Sequence, residues 1–261
     1  MTLPIFSASD DPGPSFAELL RRTQSPAPSL PDIAQPLAIT HGTTVLGVRF
    51  AEGVVMAGDR RATSGNWISH KHMEKVFPAD RFSGVAIAGA AGPAVEMVKL
   101  FQLQLEHYEK VEGTVLSLEG KANQLAQMVR SNLPAAMQGL GVVPLFAGYD
   151  VRRGEGRLFE YDVTGGRYEE QNHVESGSGS LHAGTVVKLG FRDGLTRDEA
   201  IDLVVHALYR AAEEDSATGG PDLIRGIFPV VATITAQGYQ RVDDAELRTK
   251  VEAIIGQEAR S

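Results

Sequence analysis

The junction between Gly42 and Thr43 is a place in this sequence where residue type and position suggest chemistry. Residues 1–42 hold seven of the thirteen prolines, and the patterning of a folded domain begins directly after them. Cleavage at this junction would leave Thr43 with a free α-amine, and a neighbouring amine is one means of activating a hydroxyl nucleophile. The same residues also fit a β-strand that begins with two threonines, because threonine favours strands.

Further candidate residues lie at the ends of predicted elements. Asp59 ends a predicted strand ahead of two arginines, Lys75 precedes another strand, and Asp215 follows a predicted helix. Taken singly, these patterns are typical of a solvated ion cluster, a surface lysine and a polar helix end. Ser178 lies between two glycines ahead of a helix, where backbone N–H groups could bind phosphate. The dinucleotide motif, however, requires a further glycine where His182 stands.

The composition argues against several classes of function. The net charge of −8 is unfavourable for general nucleic-acid binding, which needs a basic surface. The absence of cysteine removes disulfides and thiolate catalysis, and there is no His-Glu-x-x-His pair of the kind found in zinc hydrolases. The sequence has no apolar run of the roughly 20 residues that a membrane span needs, and its start does not read as a secretory signal. We therefore expect a cytoplasmic protein with no metal and no other cofactor.

The apolar patterning predicts an α+β protein. Strands are expected at residues 43–50, 54–58, 75–77, 82–88, 142–149, 157–161, 167–174, 228–235 and 239–242. Helices are expected at residues 94–110, 118–138, 181–189, 197–214 and 244–257, and Pro134 should shorten the second of them. Short turns between successive strands indicate antiparallel sheets. Paired helices between the groups of strands indicate two stacked sheets with helices on both outer faces.

The first predicted hairpin brings two candidate residues together. A three-residue turn at 51–53 would pair Phe50 with Val54 and Val45 with Asp59. Thr43 and Asp59 would then lie diagonally on one face of the sheet, within reach of each other. The polar stretch that follows, residues 60–66, is predicted to be a loop.

Taken together, these motifs resemble the β-subunit of the 20S proteasome in their order and spacing. The resemblance extends over residues 41–235 and rests on residues 42–44, 55–61, 75–76, 88–92, 177–180 and 215–220. Residues 105–110 and 219–229 are similar to stretches found in the catalytic β-subunits of actinobacterial proteasomes in particular.

The resemblance implies the fold of the N-terminal-nucleophile hydrolases, a four-layer αββα sandwich of two antiparallel sheets. It implies that residues 1–42 are a propeptide, removed autocatalytically at the Gly42–Thr43 bond, and that residues 43–261 are the catalytic domain. The implied activity is that of a threonine endopeptidase that degrades unfolded proteins inside a barrel. The alternative is a non-catalytic structural β-subunit, which would share the fold but lack Thr43, Asp59 or Lys75.

The resemblance also implies a role for each candidate residue. Thr43 is the nucleophile, Asp59 and Lys75 are the charged pair beside it, and the backbone N–H of Gly89 is the oxyanion donor. An outer group that orients the threonine amine and a water consists of Ser178, Asp215 and Thr218, the last of which is serine in many relatives. An apolar pocket for substrate side chains is formed by Ala62, Met73, Phe77, Ile87, Ala91 and Val95, while the backbones of Thr63 and Ala91 hold an extended peptide.

The partners that the resemblance implies are other β-subunits in heptameric rings and proteasome α-subunits. A regulatory ATPase ring would act through the α-subunits, and the substrates would be proteins and peptides. Neither nucleic acid nor a membrane is an implied partner.

Overall fold

The computed structural model describes residues 42–258. The predicted propeptide, apart from Gly42, therefore lies outside the described residues. No helix between residues 42 and 258 combines the length and the apolar character that a membrane crossing requires.

Two five-stranded antiparallel sheets and one two-stranded hairpin contain the strands of this region. Sheet one has the order β10-β1-β2-β11-β12, and its strands are β1 (Thr44–Phe50), β2 (Gly53–Gly58), β10 (His173–Gly177), β11 (Val230–Thr235) and β12 (Gly238–Arg241). Sheet two has the order β5-β6-β7-β8-β9, and its strands are β5 (Val76–Asp80), β6 (Ser83–Gly89), β7 (Val142–Asp150), β8 (Glu155–Tyr161) and β9 (Arg167–Glu170). The hairpin pairs β3 (Ala62–Ser64) with β4 (Trp67–His70).

Six helices accompany the sheets within the described range. They are α1 (Ala91–Glu112), α2 (Leu118–Ser131), α3 (Leu133–Ala136), α4 (Ser180–Gly190), α5 (Arg197–Glu214) and α6 (Asp244–Glu258). Two of them begin with side-chain caps, because the Ser117 side chain accepts the Gly120 N–H and Thr196 forms a capping box with Glu199. Pro134 does shorten the second long helix, since α2 ends at Ser131 and Pro134 lies in the first turn of α3.

Three apolar clusters fill the spaces between four layers. One lies between the two sheets and includes Val45, Met56 and Leu145. A second packs α4, α5 and α6 against sheet one, and a third packs α1 and α2 against sheet two. Strand β1 has buried side chains on both faces, with Val45 in the inter-sheet cluster and Leu46 in the helix-facing one. The predicted αββα arrangement of two antiparallel sheets is therefore confirmed.

The predicted register of the first hairpin is wrong by one residue. Phe50 pairs with Gly53 and Val45 pairs with Gly58, so the turn contains two residues rather than three. Gly53 belongs to the sheet because β2 is flanked closely by β11, and a Cβ at Gly53 would lie 2.1 Å from the carbonyl oxygen of Ile234. Asp59 consequently lies opposite Thr44, one residue beyond the predicted partner Val45.

Two other predictions of local structure are wrong. The predicted loop at 60–66 contains β3, whose hairpin with β4 is short and largely exposed and so lacks the apolar alternation that marks a half-buried strand. The single strand predicted at 167–174 is two strands, with β9 paired to β8 in sheet two and β10 paired to β1 in sheet one. The chain crosses from the edge of one sheet to the edge of the other here, and this crossing brings the segment after β10 alongside Thr43.

Candidate active site

Thr43 directly precedes β1 and lies beside the end of β10, where Thr44 pairs with Gly177. The residue is only 5% exposed. Its backbone N–H lies 3.3 Å from Oγ of Ser178 and donates a hydrogen bond to it. The chain is uncleaved here, so this nitrogen is an amide of the Gly42–Thr43 bond rather than an amine.

Gly42 is packed too tightly for any side chain. Its N–H donates to the hydroxyl of Thr63 at 3.3 Å. A Cβ at residue 42 would lie 1.8 Å from Cβ of Ala217 and 2.8 Å from its Cα, well inside contact distance. The bond predicted to be cleaved is thus held between the β3 segment and the 215–218 turn, in a space that only glycine fits.

Asp59 and Lys75 form a buried ion pair next to this bond. Lys75 Nζ donates to Asp59 Oδ1 at 2.6 Å and to the carbonyl oxygen of Arg61 at 2.6 Å. The other carboxylate oxygen of Asp59 accepts the N–H groups of Arg61 and Gly219, both at 2.8 Å. Asp59 follows β2 and Lys75 precedes β5, so the pair links the two sheets at one end of the sandwich.

Burial dominates the titration of Lys75. Removal from water lowers the pKa of its ammonium below the ordinary 10.5, while the charge and hydrogen bond of Asp59 and the charge of Asp215 oppose that shift. Arg61 lowers the pKa further through charge repulsion. The result is an ammonium that loses its proton more readily than a surface lysine does.

Ser178, Asp215 and Thr218 form a second polar group, which contacts Thr43 through Ser178. The Ser178 hydroxyl donates to Asp215 Oδ2 at 2.5 Å, and the Thr218 hydroxyl donates to the same oxygen at 2.6 Å. Oδ1 of Asp215 accepts the N–H of Ala217 at 3.0 Å. All three predicted members are therefore brought together, and the threonine hydroxyl at 218 makes the bond to Asp215 that a serine hydroxyl could also make.

Opposing effects act on the pKa of Asp215. Partial burial raises this pKa, but hydrogen bonds from Ser178, Thr218 and the backbone N–H of Ala217 outweigh burial and leave it below the ordinary 3.8. The side chain is therefore a carboxylate at neutral pH and accepts hydrogen bonds only.

Thr44 is the residue of this site that sequence reasoning missed as a functional group. Its N–H donates to Asp59 Oδ1 at 2.9 Å, and its hydroxyl lies 2.5 Å from that of Thr218. The Thr44 oxygen also accepts the N–H of Gly179 at 3.1 Å. A threonine in a β-strand gives no sign of these bonds in the sequence, because two of the partners lie 135 and 174 residues further along the chain.

A small cavity adjoins Thr43, and apart from Thr43 and Thr63 its lining residues are apolar or glycine. Its volume is about 20 Å³, which is room for about one water. Ala62, Thr63, Met73, Ile87, Gly89 and Ala91 line it together with Gly42 and Thr43. Gly89 ends β6 with φ +108°, a conformation that favours glycine, and a Cβ there would lie 2.2 Å from the carbonyl oxygen of Gly141.

Two predicted pocket residues lie elsewhere. Phe77 and Val95 are half-buried and pack against the apolar cluster between sheet two and helices α1 and α2. They are not part of the cavity wall beside Thr43 as that wall is formed by the described residues. Their predicted contribution to substrate binding stays a prediction.

Comparison with known proteins identifies the family. The family model described as "Proteasome subunit" matches residues 39–224. A protein named "Proteasome subunit beta" from Acidimicrobium ferrooxidans is 62% identical over 248 residues, which are 95% of this chain and 91% of the relative. Another of the same name, from Streptomyces griseus, is 61% identical over 218 residues, which are 84% of this chain and 78% of the relative. The chain therefore belongs to the proteasome subunit family, among the β-subunits of the 20S proteasome.

Proposed function

We propose that this chain is a catalytic β-subunit, a threonine endopeptidase that removes its own residues 1–42 and then cuts unfolded proteins. The observation that carries the proposal is the convergence of two charged groups on one buried threonine. Asp59, paired with Lys75, binds the N–H of the next residue, Thr44, and Ser178, bound to Asp215, accepts the N–H of Thr43 itself. The non-catalytic alternative offers no reason for a buried lysine–aspartate pair at this position, since such pairs are costly to bury.

In the first proposed step, Oγ of Thr43 attacks the carbonyl carbon of Gly42. The C–N bond breaks, the hydroxyl proton ends on the released nitrogen of Thr43, and an ester joins Gly42 to the threonine oxygen. Water then hydrolyses the ester, so that Gly42 leaves as a carboxylate and Thr43 has a free α-amine. The Lys75 ammonium favours this step because a nearby positive charge lowers the cost of forming an alkoxide.

In the proposed proteolytic cycle, the new α-amine accepts the hydroxyl proton as Oγ attacks a substrate carbonyl. The substrate peptide bond breaks: its carbonyl side stays on Thr43 as an acyl-enzyme ester, and its amine side is released with the proton. Water then hydrolyses the ester and frees Thr43. Gly89 would supply a backbone N–H to the developing oxyanion, a contribution of about 3–4 kcal/mol in the transition state for one donor. Asp59 orients Lys75, while Ser178 and Asp215 hold the nitrogen of Thr43.

The cavity beside Thr43 supports cleavage after apolar side chains. Its side-chain walls include Ala62, Met73, Ile87 and Ala91, which carry no charge. Gly42 forms part of the wall in the uncleaved chain, so its departure would enlarge the space for a substrate side chain. We further propose the assembly implied by the resemblance, a cytoplasmic particle of heptameric β rings, α-subunits and a regulatory ATPase ring acting through the α-subunits.

Intact mass of the assembled protein tests the proposal. The wild-type chain should lose residues 1–42 and Thr43→Ala should remain full length. Thr43→Ser is the matched control, because it keeps a hydroxyl and should still be processed. A wild-type chain that stays full length in a particle that hydrolyses peptides would refute the N-terminal threonine mechanism. A processed particle with no activity toward apolar peptides would instead favour the structural alternative.

A further inference from the structure

Thr44 connects the Asp59–Lys75 pair to the group of Ser178, Asp215 and Thr218. Its backbone forms two hydrogen bonds with Asp59, from the Thr44 N–H to Oδ1 at 2.9 Å and from the Asp59 N–H to the Thr44 carbonyl at 3.1 Å. Its side chain, which is 0% exposed, forms the bonds to Thr218 and Gly179. One residue therefore contacts both the Asp59–Lys75 pair and the Asp215 group.

The direction of the hydrogen bond between Thr44 and Thr218 follows from a count of protons. A hydroxyl has one proton to donate, and a carboxylate has none. Thr218 gives its proton to Asp215 Oδ2 at 2.6 Å, so it cannot also donate to Thr44. The proton in the 2.5 Å contact must therefore come from the hydroxyl of Thr44.

The same count applies to Ser178. Its hydroxyl lies 2.5 Å from Asp215 Oδ2 and 3.4 Å from the carbonyl oxygen of Thr43, and the shorter contact, to a charged acceptor, takes the proton. The serine oxygen then accepts from the nitrogen of Thr43. The bonds thus run in one direction toward Asp215 from both ends. Thr44 donates to Thr218 and Thr218 to Asp215, while Thr43 donates to Ser178 and Ser178 to Asp215.

The hydrogen bonds from Thr44 through Thr218 to Asp215 are enclosed by tightly packed protein atoms. Thr44 and Thr218 are both 0% exposed, so water cannot replace either hydroxyl freely. Gly179 approaches so closely that a Cβ there would lie 2.3 Å from Oγ of Thr44 and 2.6 Å from Oγ of Thr218. Loss of the Thr44 hydroxyl would leave the Gly179 N–H without this acceptor in a buried site, a costly arrangement that favours rearrangement of the 177–179 segment.

We propose that the hydroxyl of Thr44 is a positioning group that fixes Asp215 and Ser178 relative to the nucleophile. This inference rests on the proposed function, because it assigns Thr44 a part in the same reaction. Thr44 is covalently joined to Thr43, so a shift of the 177–179 segment or of Asp215 against Thr44 is a shift against the reacting hydroxyl. Even a small shift of this kind reduces the reaction rate, because catalysis depends on near-attack geometry.

Thr44→Val and Thr44→Ser provide the test. Valine keeps the shape and the backbone bonds to Asp59 but removes the hydroxyl, whereas serine keeps the hydroxyl and removes a methyl group. We expect Thr44→Val to slow the loss of residues 1–42 and to lower kcat for an apolar fluorogenic peptide, each by about tenfold or more. KM should stay within about threefold of wild type, because the substrate cavity is unchanged. Thr44→Ser should retain most of both rates.

Thr233→Val is the matched control, since Thr233 is also buried in sheet one, at 2% exposure, but lies in β11 away from the site. Equal processing and kcat for Thr44→Val and wild type would overturn the inference, as would a folded Thr44→Ser that is as slow as the valine variant. If Thr44→Val fails to assemble, Thr218→Val removes the same hydroxyl–hydroxyl bond, and a wild-type kcat for that variant also overturns it. A wild-type chain that neither processes itself nor cuts peptides overturns the proposed function instead.

Discussion

The carboxylate of Asp59 and the ammonium of Lys75 lie 2.6 Å apart, and both side chains are almost completely shielded from solvent. Asp59 has four hydrogen-bond donors in all, because the N–H groups of Thr44, Arg61 and Gly219 also point at it. Lys75 has two acceptors, Asp59 and the carbonyl of Arg61. The two members of the pair therefore differ in how much of the surrounding structure depends on them.

This difference predicts unequal losses of stability. Asp59→Asn should cost about 3–5 kcal/mol, because an amide group presents N–H atoms to donors that need an acceptor and leaves the Lys75 charge unpaired. Lys75→Met should cost less, about 1–3 kcal/mol, since three N–H groups still bind the carboxylate. Urea unfolding measures both, with Thr43→Ala present in every chain so that all keep the same length. A larger loss for Lys75→Met than for Asp59→Asn would contradict this account.

The lowered pKa of Lys75 predicts a limit to activity at alkaline pH. Burial lowers this pKa below 10.5, and Asp59 opposes the shift. The charged ammonium is the form that assists the nucleophile in the proposed mechanism, so kcat should fall as pH rises through the lowered pKa. A pH profile of kcat for the processed enzyme, from about pH 6 to pH 11, would show the fall as the lysine becomes neutral.

The control for this profile is a return to neutral pH before assay, which separates titration from unfolding. Asp59→Asn, where it assembles, should move the alkaline fall to lower pH, because the Asp59 charge is what holds the lysine pKa up. A plateau in kcat that extends beyond pH 10.5 would show that the Lys75 charge is not required.

Much of the fold follows from the sequence because its signals are local. Helix caps at Ser117 and Thr196 and the apolar periodicity of the long helices need only neighbouring residues. The register of the sheet cannot be predicted from neighbouring residues alone, because the length of the first turn depends on how closely β11 approaches Gly53. The division of 167–174 into β9 and β10 likewise depends on which sheet each half joins, which the local pattern of a short strand does not encode.

In the candidate site, too, some residues could be predicted from the sequence and others depend on tertiary packing. The resemblance implies Asp59, Lys75 and Asp215, and the structure shows Asp59 bound to Lys75 and to the N–H of Thr44, and Asp215 bound to Ser178, which accepts the N–H of Thr43. Thr44 was not singled out, since its partners come together only when the 177–179 and 215–218 segments pack against β1. The resemblance implies that Phe77 and Val95 line the pocket, and this stays a prediction, because both are half-buried and also pack against the layer between sheet two and the helices.

The packing of Gly42 predicts that self-cleavage requires glycine at that position. In Gly42→Ala the new Cβ would overlap Cβ of Ala217 at 1.8 Å, so we expect residue 42 and its scissile carbonyl to shift relative to the nucleophile. A displacement of about 1 Å can lower a rate by about a hundredfold. Intact mass over time should therefore show Gly42→Ala as a largely uncleaved chain.

A second substitution tests whether the cause is steric. Ala217→Gly removes the Cβ that collides, so the double variant should be processed faster than Gly42→Ala alone. Recovery should be partial, because Cα of residue 217 would still lie 2.8 Å from the new methyl group. Ala217→Gly by itself should be processed. If the double variant is no faster than Gly42→Ala, the block has another origin.

The cavity beside Thr43 predicts how substrate size is selected. Ala91 begins α1 and lines this cavity, so Ala91→Val would place two further carbons near the space for the substrate side chain. We expect kcat/KM for peptides cut after leucine or phenylalanine to fall by about tenfold or more relative to peptides cut after alanine. Gly92→Ala is the matched control, because it adds one carbon on the same helix turn where nothing lies within 4 Å. An equal fall for all three peptides would indicate damage to the catalytic group. An unchanged ratio would mean that this cavity does not receive the substrate side chain, and the pocket would then have to be sought near Phe77 and Val95.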